Sequence, residues 1–104
     1  MSKYENIIRT LDQNGECALK VFGQSMRPII NSGSVLTFKS DSLFQVGDVV
    51  LCKVKGRWID AHKITKISSK GRYMIANNHG HENGWASKVF ARVTAINGIP
   101  FGRE

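Results

Sequence analysis

A serine lies in a short turn between a glycine and a proline, in the stretch Gly23-Gln24-Ser25-Met26-Arg27-Pro28. The turn directly follows an apolar run at residues 18–22 that predicts a β-strand. Gly23 allows a tight bend, and Pro28 fixes its own φ and biases Arg27 towards extended backbone. A serine hydroxyl held in this way at a strand end is a candidate nucleophile for attack on a carbonyl carbon. The alternative is an ordinary turn serine.

Two further motifs follow the serine turn in chain order. They are Val46-Gly47-Asp48-Val49-Val50 and Ile59-Asp60-Ala61-His62-Lys63-Ile64. The three motifs together resemble the clan of signal peptidases and self-cleaving SOS-type repressors, over roughly residues 18–96. These are serine proteases with a Ser-Lys dyad, or with a Ser-His dyad in the archaeal and eukaryotic signal peptidases. The resemblance implies that Ser25 is the nucleophile and that His62, on a strand, is the general base.

His62 has a rival in the next residue, Lys63. Histidine, with an ordinary pKa of about 6.5, is largely neutral near pH 7, whereas a lysine base needs burial that lowers its pKa by several units. Side chains alternate along a strand, so Lys63 is expected on the opposite face from His62, and the two cannot both face Ser25. We therefore favour His62 as the base. A histidine without a catalytic role is the alternative.

A Ser-His pair usually has a third group that fixes the imidazole tautomer. The resembling families often carry Gly-Asp-Asn after a later strand. This chain has Ala76-Asn77-Asn78 there, so that Asn77 replaces the Asp. Glu82, from the loop that follows, and Asp60, from the same strand face as His62, are the candidate orienting carboxylates. Either asparagine offers only a neutral hydrogen bond.

An oxyanion hole needs hydrogen-bond donors aimed at the carbonyl oxygen of the substrate. Some signal peptidases carry a hydroxyl residue two positions before the nucleophile, and this chain has Gly23 there. The backbone N–H of Ser25 and the side chain of Gln24 are the remaining candidate donors.

A metal site is a separate interpretation of His79, His81 and Glu82. His-x-His is a weak signal, and Gly80 and Gly84 predict a loop rather than a strand that would aim both imidazoles one way. No cluster of Cys or Asp completes a site. We therefore predict no metal and no other cofactor.

Hydrophobic periodicity changes once along the chain, near Gly15. Apolar residues recur at helical spacing in residues 3–13, which predicts a short amphipathic helix. Beyond it, runs rich in Val, Ile, Phe and Thr predict strands at 18–22, 35–39, 49–54, 58–67, 73–76 and 89–96. We predict a mainly β protein: a coiled, partly closed antiparallel β domain of the signal-peptidase and SOS-repressor type. Residues 1–104 are expected to form one domain, with a helix and turn at 1–15 and a β core at 16–98.

The composition, 41% apolar and 22% charged, is that of an ordinary globular protein. Cys17 and Cys52 are far apart in the chain, which favours small buried hydrophobic residues in a reducing compartment. No apolar run reaches the roughly 18 residues of a membrane span, and the first residues lack a secretory signal. We expect a cytoplasmic protein. Compact clan members without an anchor look like phage or mobile-element proteins.

These patterns favour a soluble serine endopeptidase that cleaves a protein or peptide substrate in trans through Ser25 and His62. SOS-type self-cleavage is disfavoured because no Ala-Gly or Cys-Gly pair occurs in the chain. The alternative is a catalytically inactive binding module that keeps the peptidase fold and captures a strand of a protein partner. A dedicated nucleic-acid-binding protein is a weaker third interpretation.

The net charge of +7 predicts weak, sequence-independent binding to nucleic acid. The basic residues are spread along the whole chain, so the contacts should be mainly phosphate neutralisation. Anisotropy of a labelled random-sequence duplex should show binding that fades steeply between about 50 and 200 mM salt. Tight, salt-resistant binding to one sequence would contradict this expectation.

Overall fold

The computed structural model describes residues 2–103. The predicted helix is α1, Lys3–Asn14. Ser2 caps its N-terminus, because its hydroxyl accepts the backbone N–H of Glu5 while the Glu5 side chain accepts the N–H of Ser2. Gly15 ends the helix in the left-handed region, with φ of 73° and its N–H donated to Leu11 O.

In the described residues, eight strands follow the helix. They are β1 (Glu16–Lys20), β2 (Val35–Ser40), β3 (Val49–Val54), β4 (Arg57–Ile67), β5 (Tyr73–Ala76), β6 (Glu82–Trp85), β7 (Lys88–Ile96) and β8 (Ile99–Pro100). The mainly β class and the N-terminal helix are confirmed. The first strand begins and ends two residues earlier than predicted, and β6 and β8 were not predicted.

The prediction of a loop around Gly84 is wrong, because β6 pairs antiparallel with β5 and places Gly84 opposite Ile75. A Cβ at Gly84 would lie 3.3 Å from Cγ1 of Val54, and its φ of 127° is strained for other residues. The glycine thus permits a close approach between β6 and the end of β3. It does not mark a turn.

The strands form one antiparallel sheet in the order β1-β2-β7-β3-β4-β5-β6, with β8 paired to β7. Register shifts interrupt five of the pairings, and such irregularities increase the local twist of a sheet. Within residues 2–103 no pairing joins the end strands β1 and β6, so the sheet is open. No helix in this part of the chain is long and apolar enough to cross a membrane.

Strand β3 lies between two apolar clusters. Val49 and Leu51 belong to the cluster that contains Ile7 and Leu11 of α1. Alternate residues of the strand, including Cys52, belong to a second cluster behind the sheet. Burial raises the pKa of the Cys52 thiol to about 12, which keeps it protonated. Strand β3, which pairs with β4, is therefore packed on both faces.

Replacing Leu51 by alanine should destabilise the protein by about 2–5 kcal/mol, because a fully buried side chain leaves a cavity in the core. The matched control is Leu43→Ala, since Leu43 is 73% exposed and its loss should change stability by less than about 0.5 kcal/mol. Urea unfolding followed by circular dichroism measures both. Equal losses in the two variants would contradict the assigned core.

Candidate active site

Ser25 lies in the turn between β1 and β2, anchored on one side by buried neighbours. Met26 and Ile30 are each 3% exposed and pack into the core cluster that contains α1. Gly23, with φ of 104°, supplies the bend that the sequence predicted. The serine itself is half-buried, so its hydroxyl is held by a packed turn while remaining within reach of a cleft.

His62 lies on β4, opposite Val50 of β3. Its Nε2 is 3.0 Å from Oγ of Ser25, and its Nδ1 is 2.7 Å from Oδ1 of Asn83. An amide oxygen only accepts hydrogen bonds, so Nδ1 carries the proton and Nε2 presents a lone pair to the serine hydroxyl. This tautomer is the one that a general base needs.

Asn83, the residue that orients His62, was not among the sequence candidates. It lies on β6, in the segment predicted as a loop. An amide in place of a carboxylate also orients the histidine of papain-like cysteine proteases. Gly80 and Gly84 flank Asn83 and are typical of a loop, so the sequence carries no strand pattern that would indicate Asn83.

The electrostatics around His62 keep its ring neutral. The pKa of His62 is lowered from its ordinary value, mainly because burial penalises the charged imidazolium. The hydrogen bond to Asn83 and the charge of Asp60 act in the opposite direction, and His81 acts with burial. The ring is therefore available as a base near neutral pH.

The two carboxylates considered as orienting groups interact elsewhere. Asp60 accepts the hydroxyl of Tyr4 and forms an ion pair with Lys3 on α1 at 3.3 Å. Glu82 pairs with Lys66 at 3.6 Å. Within residues 2–103 neither carboxylate hydrogen-bonds His62, although the charge of Asp60 still influences its pKa.

The candidate amides also interact with other groups. Oδ1 of Asn77 accepts the backbone N–H groups of His79 and His81, each at 2.9 Å. Oε1 of Gln24 accepts from the guanidinium of Arg27 at 3.1 Å. In residues 2–103 the backbone N–H of Ser25 donates to no backbone carbonyl, so this N–H and Nε2 of Gln24 remain the candidate oxyanion donors.

Lys63, the rival base, directs its ammonium group to Asn78, where Nζ is 3.3 Å from Oδ1. The hydroxyl of Ser25 is bonded to His62 instead. Among the described residues no group of three or more His, Cys, Asp and Glu side chains is placed to hold a metal ion.

A cleft of about 270 Å³ opens beside the dyad. The serine turn forms one wall, residues 58–62 of β4 form the other, and Tyr4 of α1 contributes to the lining. Pairing between β4 and β5 begins only at Lys63, so in the described chain residues 57–62 have no strand partner on that side. The cleft therefore runs along a free strand edge that ends at His62.

The described chain thus forms an open antiparallel sheet in which a serine hydroxyl is bonded to a histidine at the mouth of a cleft. The chain belongs to the Peptidase S24-like family, whose family model matches residues 2–97. The resemblance to the clan of signal peptidases and SOS-type repressors is thereby confirmed. No curated protein matches the chain.

The imidazole of His62 should titrate below the ordinary histidine value of about 6.5 in an NMR titration, because burial disfavours its charged form. Asn83→Asp should raise this pKa, since a carboxylate at Nδ1 stabilises the imidazolium. A wild-type pKa above about 6.5, or no rise in the variant, would contradict the assigned environment.

Proposed function

We propose that this protein is a serine endopeptidase that cleaves a protein substrate in trans, with Ser25 as nucleophile and His62 as general base. The observation that carries the proposal is the 3.0 Å hydrogen bond between Oγ of Ser25 and Nε2 of His62. The bond from Nδ1 of His62 to Asn83 supports it, because it fixes the basic tautomer towards the serine.

In the first half of the reaction, Oγ of Ser25 attacks the carbonyl carbon of the scissile peptide bond while its proton passes to Nε2 of His62. The backbone N–H of Ser25 donates to the oxyanion that develops on the carbonyl oxygen. When the C–N bond breaks, His62 returns the proton to the leaving amine, and the acyl group stays on Ser25 as an ester.

In the second half, water attacks the ester carbonyl and gives a proton to Nε2 of His62. The ester bond then breaks, Oγ of Ser25 takes the proton back, and the new carboxyl end of the substrate leaves. Asn83 is neutral, so it adds no negative charge beside the imidazolium that forms in each half of the reaction. His62 therefore acts as a weakly stabilised cation, consistent with its lowered pKa.

The shape of the cleft favours an extended peptide as substrate. A substrate strand can pair with the free edge of β4 at residues 57–62, as peptides do when they extend a sheet. Val21 and Phe22 line the facing wall, and Phe22 is 74% exposed. A peptide bond laid along this edge would lie next to both members of the dyad.

The proposal predicts that Ser25→Ala abolishes cleavage and that His62→Ala lowers it by about 10²–10⁴-fold. The double variant should be no worse than Ser25→Ala, because both residues act in one proton-transfer step. Lys63→Ala should lower the cleavage rate far less than either of these changes. The assay incubates each protein with a peptide library and counts new termini by mass spectrometry.

The matched control is Ser69→Ala, which removes an exposed turn serine and should cleave at the wild-type rate. Cleavage that survives in Ser25→Ala would refute the proposed nucleophile. A wild-type protein that binds library peptides without producing new termini would instead indicate a binding module of the same fold.

A further inference from the structure

The loop between β5 and β6 is hydrogen-bonded to the serine turn. Two consecutive loop residues donate hydrogen bonds to three carbonyl groups of the turn. The backbone N–H of Asn78 donates to Ser25 O at 2.9 Å, and its Nδ2 donates to Arg27 O at 3.0 Å. Nε2 of His79 lies 2.9 Å from Gln24 O and donates to it.

We propose that Asn78 and His79 are positioning residues that hold the Ser25 hydroxyl in line with His62. This inference rests on the proposed peptidase function and assigns a role to residues that do not touch the substrate. The carbonyl oxygens of Gln24, Ser25 and Arg27 are all bonded to the loop. These bonds let the loop set the position of the Ser25 Cα–Cβ bond.

Among the described residues, the internal hydrogen bonds of the turn, including Gly23 N–H to Oγ of Ser32 at 3.2 Å, leave the carbonyl of Ser25 without a partner inside the turn. Inside it, the N–H of Arg27 donates to Gln24 O at 3.2 Å, and the N–H of Ile30 donates to Met26 O at 2.9 Å. Met26 and Ile30 fix the turn from the core side. The loop adds a second set of contacts, its hydrogen bonds to the carbonyl groups of the turn.

The loop can act as a restraint because it is itself tied down. Oδ1 of Asn77 accepts two backbone N–H groups of the loop, and the N–H of Asn77 donates to His81 O at 2.9 Å. Pairing of Ala76 with Glu82 closes its base. Oδ1 of Asn78 also accepts from Lys63 on β4.

The same hairpin also carries Asn83, which orients His62. One supersecondary unit thus fixes both members of the dyad, the serine through loop 77–81 and the histidine through β6. Serine attack tolerates little error, since a misplacement of about 1 Å can cost about 100-fold in rate. Loss of the loop contacts should therefore reduce reactivity without removing any reacting group.

The variants separate these contacts. Asn78→Ala removes the bond to Arg27 O and the acceptor for Lys63, while the backbone bond to Ser25 O is kept. His79→Leu removes the bond to Gln24 O, and His79→Gln restores an amide donor near the position of Nε2. The control is Ser69→Ala, in the exposed turn between β4 and β5, because Ser69 makes none of these contacts.

The experiment measures how fast a fluorophosphonate modifies Ser25 at pH 8, a reaction that needs no substrate recognition. Oγ of Ser25 bonds to phosphorus, fluoride leaves, and the serine proton passes to His62. We expect Asn78→Ala and His79→Leu to slow modification by about 10- to 100-fold. His79→Gln should recover most of the wild-type rate, and Ser69→Ala should match the wild-type rate.

The ¹⁵N shifts of the His62 ring, measured on the same variants, should show that Nδ1 stays protonated. The shift of Nε2 should move away from its hydrogen-bonded value. Wild-type modification rates in both loop variants would overturn the positioning role and leave the proposed function standing. If Asn78→Ala does not fold, the comparison of His79→Leu with His79→Gln decides. An unmodified wild-type protein would overturn the proposed function and the positioning role together.

Discussion

The hydrogen bond between Ser25 and His62 joins two segments that are 37 residues apart in the chain. Neither segment is a direct neighbour of the other in the sheet, because the serine turn follows β1 and the histidine lies on β4. Their distance depends on how the turn is packed against the core and on how β4 is held between β3 and β5. The β5–β6 hairpin contacts both segments, the serine turn through loop 77–81 and His62 through Asn83.

The proposed dyad has an amide, that of Asn83, where many serine peptidases have a carboxylate. Burial lowers the pKa of His62, and Asn83 fixes the tautomer without adding charge. Because the folded pKa lies below that of the unfolded chain, His62 contributes stability that is complete above about pH 6.5 and is lost as pH falls through the folded pKa. The neutral base and the stability of the site therefore depend on the same desolvation.

Sequence reasoning located the serine, the histidine and most of the strands, because each leaves a local signal. The turn around Ser25 has Gly23 and Pro28, and β4 has a long branched apolar pattern. Asn83 left no such signal. In the described chain its strand, β6, pairs with β5 alone, and the next residue, Gly84, allows a close approach to Val54 that exists only in the folded protein.

The partners of Asp60 and Glu82 are a second feature that the sequence does not predict. Alternation along β4 predicts which face Asp60 occupies, but it does not say which element covers that face. In the structure α1 lies there, and Tyr4 and Lys3 interact with the carboxylate. The partner of each polar side chain is decided by contacts between elements far apart in the sequence, and periodicity carries no information about them.

The central claim is that neutral His62 activates Ser25. The most direct measurement is the pH dependence of Ser25 modification by a fluorophosphonate, with the modified residue mapped by mass spectrometry. The account predicts a single modification on Ser25, with a rate that rises through the pKa of His62, below about 6.5, and is constant above it. Modification at another residue, or a rate that rises only in the alkaline range of a lysine base, would contradict the account.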